Sequence, residues 1–133
     1  MKIRKASVDD FEALKLLLKQ LTYVGNPDIT KIPISIYDNI YVIVNKEQVL
    51  GCVTLLLEDK IIHDGSKVAH IEDVVVDKKC RGLGLGKQLI NHCINISKSE
   101  GCYKILLDCD ENNIGFYGSM GFKTKGVCMR FDL

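Results

Sequence analysis

The run Arg81-Gly82-Leu83-Gly84-Leu85-Gly86-Lys87 constrains this chain more than any other segment. It follows a β-branched apolar stretch, Val68 to Asp77, and precedes one in which Leu89, Ile90, Cys93, Ile94 and Ser97 fall on one side of a helix that Gly101 ends. A strand that turns through glycines into a helix leaves consecutive backbone N–H groups without intrahelical partners, and the helix dipole favours an anion there. Glycines let that backbone touch a phosphate. Arg81 and Lys87 add positive charge beside the same nest of amides, an arrangement suited to a pyrophosphate. Two phosphate loops fail on spacing. The P-loop needs four residues between its glycines and then Lys-Ser/Thr, whereas Gly82 and Gly86 enclose three and Lys87 precedes Gln88, which argues against ATP. The dinucleotide fingerprint Gly-x-Gly-x-x-Gly has its third glycine one place later than Gly82-x-Gly84-x-Gly86 provides.

The remaining pattern alternates strands and helices. After a short strand, Ser7 and Asp10 mark a helix start, and Phe11, Leu14, Leu17, Leu18 and Leu21 follow at helical spacing. Gly25 to Asn39, broken by Pro27, Pro33 and Asp38, reads as a loop with a short irregular helix bordering a binding site. Ile40 to Asn45 and Gln48 to Glu58 are β-rich runs whose separating pair Lys46-Glu47 suits a tight hairpin. Beyond the polar link Lys60 to Lys67 and the strand-turn-helix unit, Tyr103 to Cys109 reads as a strand covered on both faces. Asn112 or Asn113 caps a short helix that stops near Gly121, and Phe122 to Leu133 reads as a final strand or two. This order implies an α/β (α+β) fold, a mixed sheet with helices on its faces.

With 133 residues, the chain is expected to form one domain over 1–133 with a single core. A formal net charge of +1 supplies no field for polyanions, which argues against nucleic acid as a partner. The longest apolar stretches, Ile40 to Val44 and Val49 to Leu57, fall far short of the roughly 20 residues that cross a bilayer, so no membrane span is expected. Met1 to Asp10 carries no secretory apolar run, and a cytoplasmic location is expected. Cys52, Cys80, Cys93, Cys102, Cys109 and Cys128 include no Cys-x-x-Cys pair, so they are expected to be mostly buried reduced thiols holding no metal.

Arg81-x-x-Gly84-x-Gly86, between an apolar strand and an amphipathic helix, resembles the acetyl-CoA pyrophosphate loop of the GNAT acyltransferase superfamily. Asn113-x-x-Phe116-Tyr117-x-x-x-Gly121-Phe122 resembles that superfamily's second acetyl-CoA segment, in the same order. His70-Ile71-Glu72-Asp73-Val74-Val75-Val76, together with Gly101 to Cys109, is similar to the glucosamine 6-phosphate N-acetyltransferase family within it, over Lys60 to Leu133. The resemblance implies the GNAT acyl-CoA N-acyltransferase fold, with a mixed, mostly antiparallel sheet and helices on both faces. It implies acetyl-CoA as co-substrate, held by Val74, Val75, Val76, Arg81, Gly82, Leu83, Gly84, Leu85, Gly86, Lys87, Asn113, Phe116 and Tyr117. The activity it implies is direct attack of the 2-amino group of D-glucosamine 6-phosphate on the thioester, giving N-acetylglucosamine 6-phosphate and CoA for UDP-GlcNAc biosynthesis.

Glu72 and Asp73 stand in the middle of an apolar strand, where an unpaired charge costs several kcal/mol, so they require a partner or a task. Adjacent side chains of a regular strand point to opposite faces, and both reach one ligand only if the strand is kinked. The resemblance implies a bulge here, whose freed amide at Val74 or a close neighbour polarises the thioester carbonyl. A carboxylate takes the amine's proton directly or through water. Glu72 is the first choice for that base and Asp73 for binding the sugar, against the alternative of two ion-paired structural acids. By resemblance Asp108 orients the amine, and the Tyr117 hydroxyl protonates the departing thiolate. Their alternatives are a strand-end acid capping the next turn and a core tyrosine. The resemblance further implies that Lys60, His63, Tyr103, Lys104 and Arg130 contact the sugar phosphate, with Arg130 drawn from the neighbouring subunit of a homodimer. Two other readings stay open at this point. One is acetyl transfer to a protein N-terminus or a polyamine, and the other is a coenzyme A sensing module without turnover.

Overall fold

The computed structural model describes residues 1–133. Strands β1 (Lys2–Lys5), β2 (Ile40–Asn45), β3 (Gln48–Glu58), β4 (Val68–Val76) and β5 (Lys104–Leu107) lie side by side in chain order. β1 to β4 pair antiparallel, and the hairpin closes as its sequence requires, Asn45 pairing with Gln48 across Lys46-Glu47 with Lys46 at φ 58°. β5 runs parallel to β4, because a parallel neighbour needs a long crossover and the helix α3 (Leu85–Ser99) supplies it. The other helical segments are α1 (Phe11–Leu18), a single turn α2 (Ile62–Gly65) and α4 (Ile114–Gly118), joined by 3₁₀ turns that include Ile29–Lys31 and Ile34–Asn39 in the irregular early loop.

Period-two alternation in β2 and β3 sends apolar side chains to both faces, and a helix covers each. On one face Ile43, Val53, Leu55, Ala69 and Ile71 pack against Leu85, Leu89, Ile90 and Cys93 of α3. On the other, Val42, Val44, Cys52 and Val75 meet Leu14 and Leu17 of α1, with Tyr37 beside them. Each fully buried aliphatic side chain contributes about 1.5–3 kcal/mol, so these two clusters hold the sheet between its layers. Asp10 anchors the start of α1. It accepts from the Ser7 N–H at 2.9 Å and grips Arg4 with both oxygens, at 2.8 and 3.0 Å. The Arg4 guanidinium, more than any other group, holds the Asp10 carboxyl below the usual carboxylate range. The stability this adds is therefore complete at neutral pH and is lost as the pH falls through that lowered value.

The second half of the sheet departs from the sequence reading. The bonded part of the fifth strand is only Lys104–Leu107, and it is not covered on both faces: Leu106 is 41% exposed. Opposite it in the ladder are His70 and then Leu56, which is 40% exposed, so this face of β3, β4 and β5 lies beyond the reach of α1. Phe122 to Leu133 forms no strand. Val127, Met129 and Phe131 alternate as a strand would, yet are 89%, 92% and 88% exposed, because no ladder or apolar face meets them within one chain. Of the cysteines, Cys52 and Cys93 are buried, while Cys109 and Cys128 are exposed beside this uncovered end. Neither asparagine caps α4 with its side chain; a 3₁₀ turn, Glu111–Asn113, leads into the helix instead, and the Asn113 N–H donates to the Asp110 carbonyl at 2.9 Å. No helix is long and apolar enough to cross a membrane.

Candidate active site

The glycine-rich turn takes the shape its residues allow. Gly82 and Gly84 hold φ at +84° and +78°, a region that costs any side-chain-bearing residue. Gln88 N–H is the first to close onto the new helix, on the Gly84 carbonyl at 3.1 Å, so the amides of Leu85, Gly86 and Lys87 have no intrahelical acceptor and face outward at the dipole's positive end. Nothing lies within 4 Å of where a Cβ would stand on Gly82 or Gly84, which leaves open space over the backbone. Gly86 is a close approach: a Cβ there would meet the Phe116 ring at 3.2 Å. Arg81 is held on the rim, its Nε donating to the Val76 carbonyl at 3.3 Å.

A cleft of about 560 Å³ runs along this turn between β4 and α4. Its wall includes Val74, Val75, Val76, Arg81, Gly82, Gly84, Leu85, Gly86, Lys87, Asn113, Phe116 and Tyr117. Leu83, expected among them, is 63% exposed and stands outside the cleft, because the turn points its side chain away from the backbone it presents. Gln20, Leu21 and Cys80 join the wall unannounced. Leu21 reads in the sequence as one more member of α1's apolar stripe, and nothing in the spacing of Gln20 marks it.

β4 is kinked where its two acids stand. Cys52 pairs with Val75 but Thr54 pairs with Glu72, so Val53 alone opposes Asp73 and Val74. This is a β-bulge, with Asp73 at φ 49°. It turns both acids to solvent, and neither is in an ion pair, in contrast to two ion-paired structural acids. β4–β5 pairing ends at Ile71 with Leu107, and just past it Glu72, Asp73, Asp108, Asp110 and Arg130 line a second chamber of about 520 Å³. Partial desolvation against the chamber wall, then the negative charges of Asp108 and Asp73, push the Glu72 carboxyl above the usual range. Cys128 Sγ sits 3.6 Å from Asp108 Oδ2, and Arg130 pairs with Asp132 at 2.6 Å.

Tyr117, Val74, Asn113 and Leu21 line both chambers and so mark where they meet. Tyr117 is held there by edge-on contacts with Phe116 and Phe122, at ring separations of 4.9 and 5.9 Å. Burial raises its hydroxyl above the ordinary tyrosine value, with Cys109 adding to the shift, so it stays protonated at neutral pH. An asparagine not spent on capping α4 and a protonated phenol thus face the junction.

Lys60, His63, Tyr103 and Lys104 gather elsewhere. The His63 ring stacks on Tyr103 at 3.9 Å, Lys104 lies 5.4 Å from the same tyrosine ring, and Lys60 pairs with Glu58 at 3.0 Å. None of them lines either chamber of this chain, since Tyr103 and Lys104 begin β5 at the end opposite Asp108, and Lys60 and His63 lie on the link between β3 and β4. No group of three or more His, Cys, Asp or Glu is arranged to hold a metal.

Residues 13–122 match the model of the acetyltransferase (GNAT) family. A glucosamine 6-phosphate N-acetyltransferase of Trypanosoma brucei brucei is 45% identical over 86 residues, covering 65% of this chain and 58% of the relative. The chain thus spans little more than half of that relative's length. A glucosamine 6-phosphate N-acetyltransferase of Candida albicans is 38% identical, with 95% of this chain and 91% of the relative covered. Among solved structures, glucosamine-6-phosphate N-acetyltransferase from Arabidopsis thaliana superposes with a TM-score of 0.87 at 31% identity, over 98% of this chain and 97% of that one. The five-strand sheet, the glycine turn and these likenesses agree, and the chain belongs to the acetyltransferase (GNAT) family.

Proposed function

We propose that this chain, as a single-domain cytoplasmic enzyme, transfers the acetyl group of acetyl-CoA to the 2-amino group of D-glucosamine 6-phosphate for UDP-GlcNAc biosynthesis. One observation carries the reading: the bulge turns Glu72 and Asp73 onto one chamber, which meets the glycine-rich cleft at Tyr117. In this reading the coenzyme's pyrophosphate rests on the amides after Gly84, with Arg81 and Lys87 beside it, and its acyl end lies at the junction. The Val74 amide polarises the thioester carbonyl. The amine forms the new N–C bond as the C–S bond breaks; Glu72 takes the amine's proton, directly or through water, and Tyr117 gives one to the departing sulfur. Asp73 and Asp108 hold the sugar.

Tyr117→Phe keeps the packing and removes the proton, so kcat is expected to fall about 10-fold or more with both KM values little changed. Steady-state kinetics at saturating acetyl-CoA checks this, and an unchanged kcat returns Tyr117 to the core. Arg130→Ala is expected to raise the sugar phosphate KM about 10-fold or more through lost charge-assisted hydrogen bonds, with the acetyl-CoA KM little moved. The homodimer belongs to the same reading. Exposed Val127, Met129 and Phe131 and the uncovered edge of β5 support an exchange of the C-terminal segment between two copies. Such an exchange puts the partner's Arg130 in each chamber in place of the chain's own, and a second copy is also what Lys60, His63, Tyr103 and Lys104 need in order to reach a sugar phosphate.

A polyamine acceptor has its own support, since Glu72, Asp73, Asp108 and Asp110 surround the second chamber and only Arg130 opposes them. Free-thiol release from acetyl-CoA, compared for glucosamine 6-phosphate, glucosamine and spermidine, separates the readings. The sugar phosphate is expected to react fastest. Faster release with spermidine favours the polyamine, and coenzyme binding with no release for any amine favours a sensing module.

A further inference from the structure

The end of α1 and the start of the glycine turn are distant in sequence and tied by one side chain. Past Leu18 the helix closes in tight turns, Gln20 N–H donating to the Leu17 carbonyl at 3.0 Å and Leu21 N–H to that of Leu18 at 2.9 Å. From there Gln20 Oε1 accepts from the Lys78 N–H at 2.9 Å. Lys78 begins the 3₁₀ turn Lys78–Cys80 that leads directly into Arg81. Asp77, one residue before, donates its N–H to the Leu50 carbonyl at 2.8 Å and accepts at Oδ1 from the Lys79 N–H at 3.0 Å. Gln20 also lines the donor cleft, and its neighbour Leu21 lines both chambers.

We propose that Gln20 is a positioning residue for the acyl donor: its side-chain amide fixes the turn that receives the pyrophosphate and, in the same contact, sets Leu21 at the junction of the chambers. The proposal rests on reading the cleft as the acetyl-CoA site. Three glycines between residues 82 and 86 make this backbone costly to order, and amides bind an anion well only when they are already in place. Asp77 and Arg81 brace the turn from within its own segment, whereas Gln20 braces it from another layer of the fold. Glutamine suits the position chemically. Its carbonyl accepts from the Lys78 N–H, one residue past the Asp77 carboxyl, which the Lys79 N–H above all holds below the usual range. A glutamate would set a second negative charge against Asp77.

The test is calorimetric titration of coenzyme A into the full chain, with acetyl-CoA kinetics and thermal melting alongside. Gln20→Leu keeps the size and removes the acceptor. It is expected to weaken coenzyme A binding and raise the acetyl-CoA KM about 5- to 10-fold, the worth of one hydrogen bond, with kcat and the acceptor KM within about twofold. Gln20→Glu is expected to bind more weakly still. The double variant Gln20→Glu/Asp77→Asn, in which carboxylate and amide trade places, is expected to recover to within about twofold of the wild type, a rescue that a merely structural role does not produce. Wild-type affinity in Gln20→Leu, an equal fall in every kinetic parameter, or a double variant no tighter than Gln20→Glu overturns the positioning role. A wild-type chain that does not bind coenzyme A overturns the assignment of the cleft, and the proposal with it.

Discussion

Glu72→Gln is expected to lower kcat by about 10²- to 10³-fold while the acetyl-CoA KM stays within about twofold. The substitution keeps shape and hydrogen-bonding reach but removes the site for the proton that the amine must lose. Glu72 suits this role by its place on the bulge. It lines the chamber proposed for the acceptor beside Asp108 and Asp73, whose charges, after desolvation, raise its carboxyl. The sign follows directly. A base works when deprotonated, so a raised carboxyl moves the acid-side loss of kcat/KM to higher pH than an ordinary glutamate gives. Glu72→Gln should remove that limb of the profile together with most of the rate. Asp73→Asn, by contrast, should act chiefly on the acceptor KM. Full kcat in Glu72→Gln, or an acid limb that survives it, assigns the proton to another group.

Gly84→Val is expected to weaken coenzyme A binding by roughly 30-fold or more, about 2 kcal/mol, with the fold retained. Gly84 sits at φ +78°, a backbone conformation that is a genuine outlier for a β-branched residue and costs roughly 1–2 kcal/mol even for others. No protein atom lies within 4 Å of the added Cβ, so the protein itself gives the side chain room. The ligand does not, because the valine would stand over the amides on which the pyrophosphate is proposed to rest. Gly86→Val makes a useful contrast, since its Cβ meets the Phe116 ring at 3.2 Å, so its melting temperature is expected to fall through packing where that of Gly84→Val falls through backbone strain. Titration calorimetry and thermal melting read the two effects separately. Wild-type affinity in Gly84→Val shows that the anion does not use this turn.

The sequence carried the local structure well, because local structure depends on neighbours in the chain. The hairpin at Lys46-Glu47, the strand-turn-helix unit around Gly84 and the two helix-covered faces follow from period and turn chemistry alone. It also marked most of the wall of the glycine cleft, since residues 74–76, 81–87, Asn113, Phe116 and Tyr117 lie on three segments that the turn and the crossover bring together, and of these only Leu83 stands outside it. Contacts between distant segments were not legible. Gln20 and Leu21 reach the cleft because of how α1 lies on the sheet, and no spacing rule encodes that angle. The end of the chain shows a different limit. Val127, Met129 and Phe131 have a strand's alternation, but a strand exists only with a partner, and one chain supplies none. Lys104 and Tyr103 stand away from Asp108 for a simpler reason, since an extended strand of about 3.3 Å per residue separates the ends of one short segment.

In the proposed arrangement the acyl donor lies in the glycine cleft, the amine in the acidic chamber, and they react at the junction that Tyr117 and Val74 share. A crystal structure of the chain with coenzyme A tests this most directly. The expected result is a pyrophosphate on the amides following Gly84 and a sulfur within about 4 Å of the Tyr117 hydroxyl, the reach of a hydrogen bond to sulfur. A tail seated away from residues 81–87, or a sulfur that cannot approach both Tyr117 and the Glu72-Asp73 bulge, contradicts it.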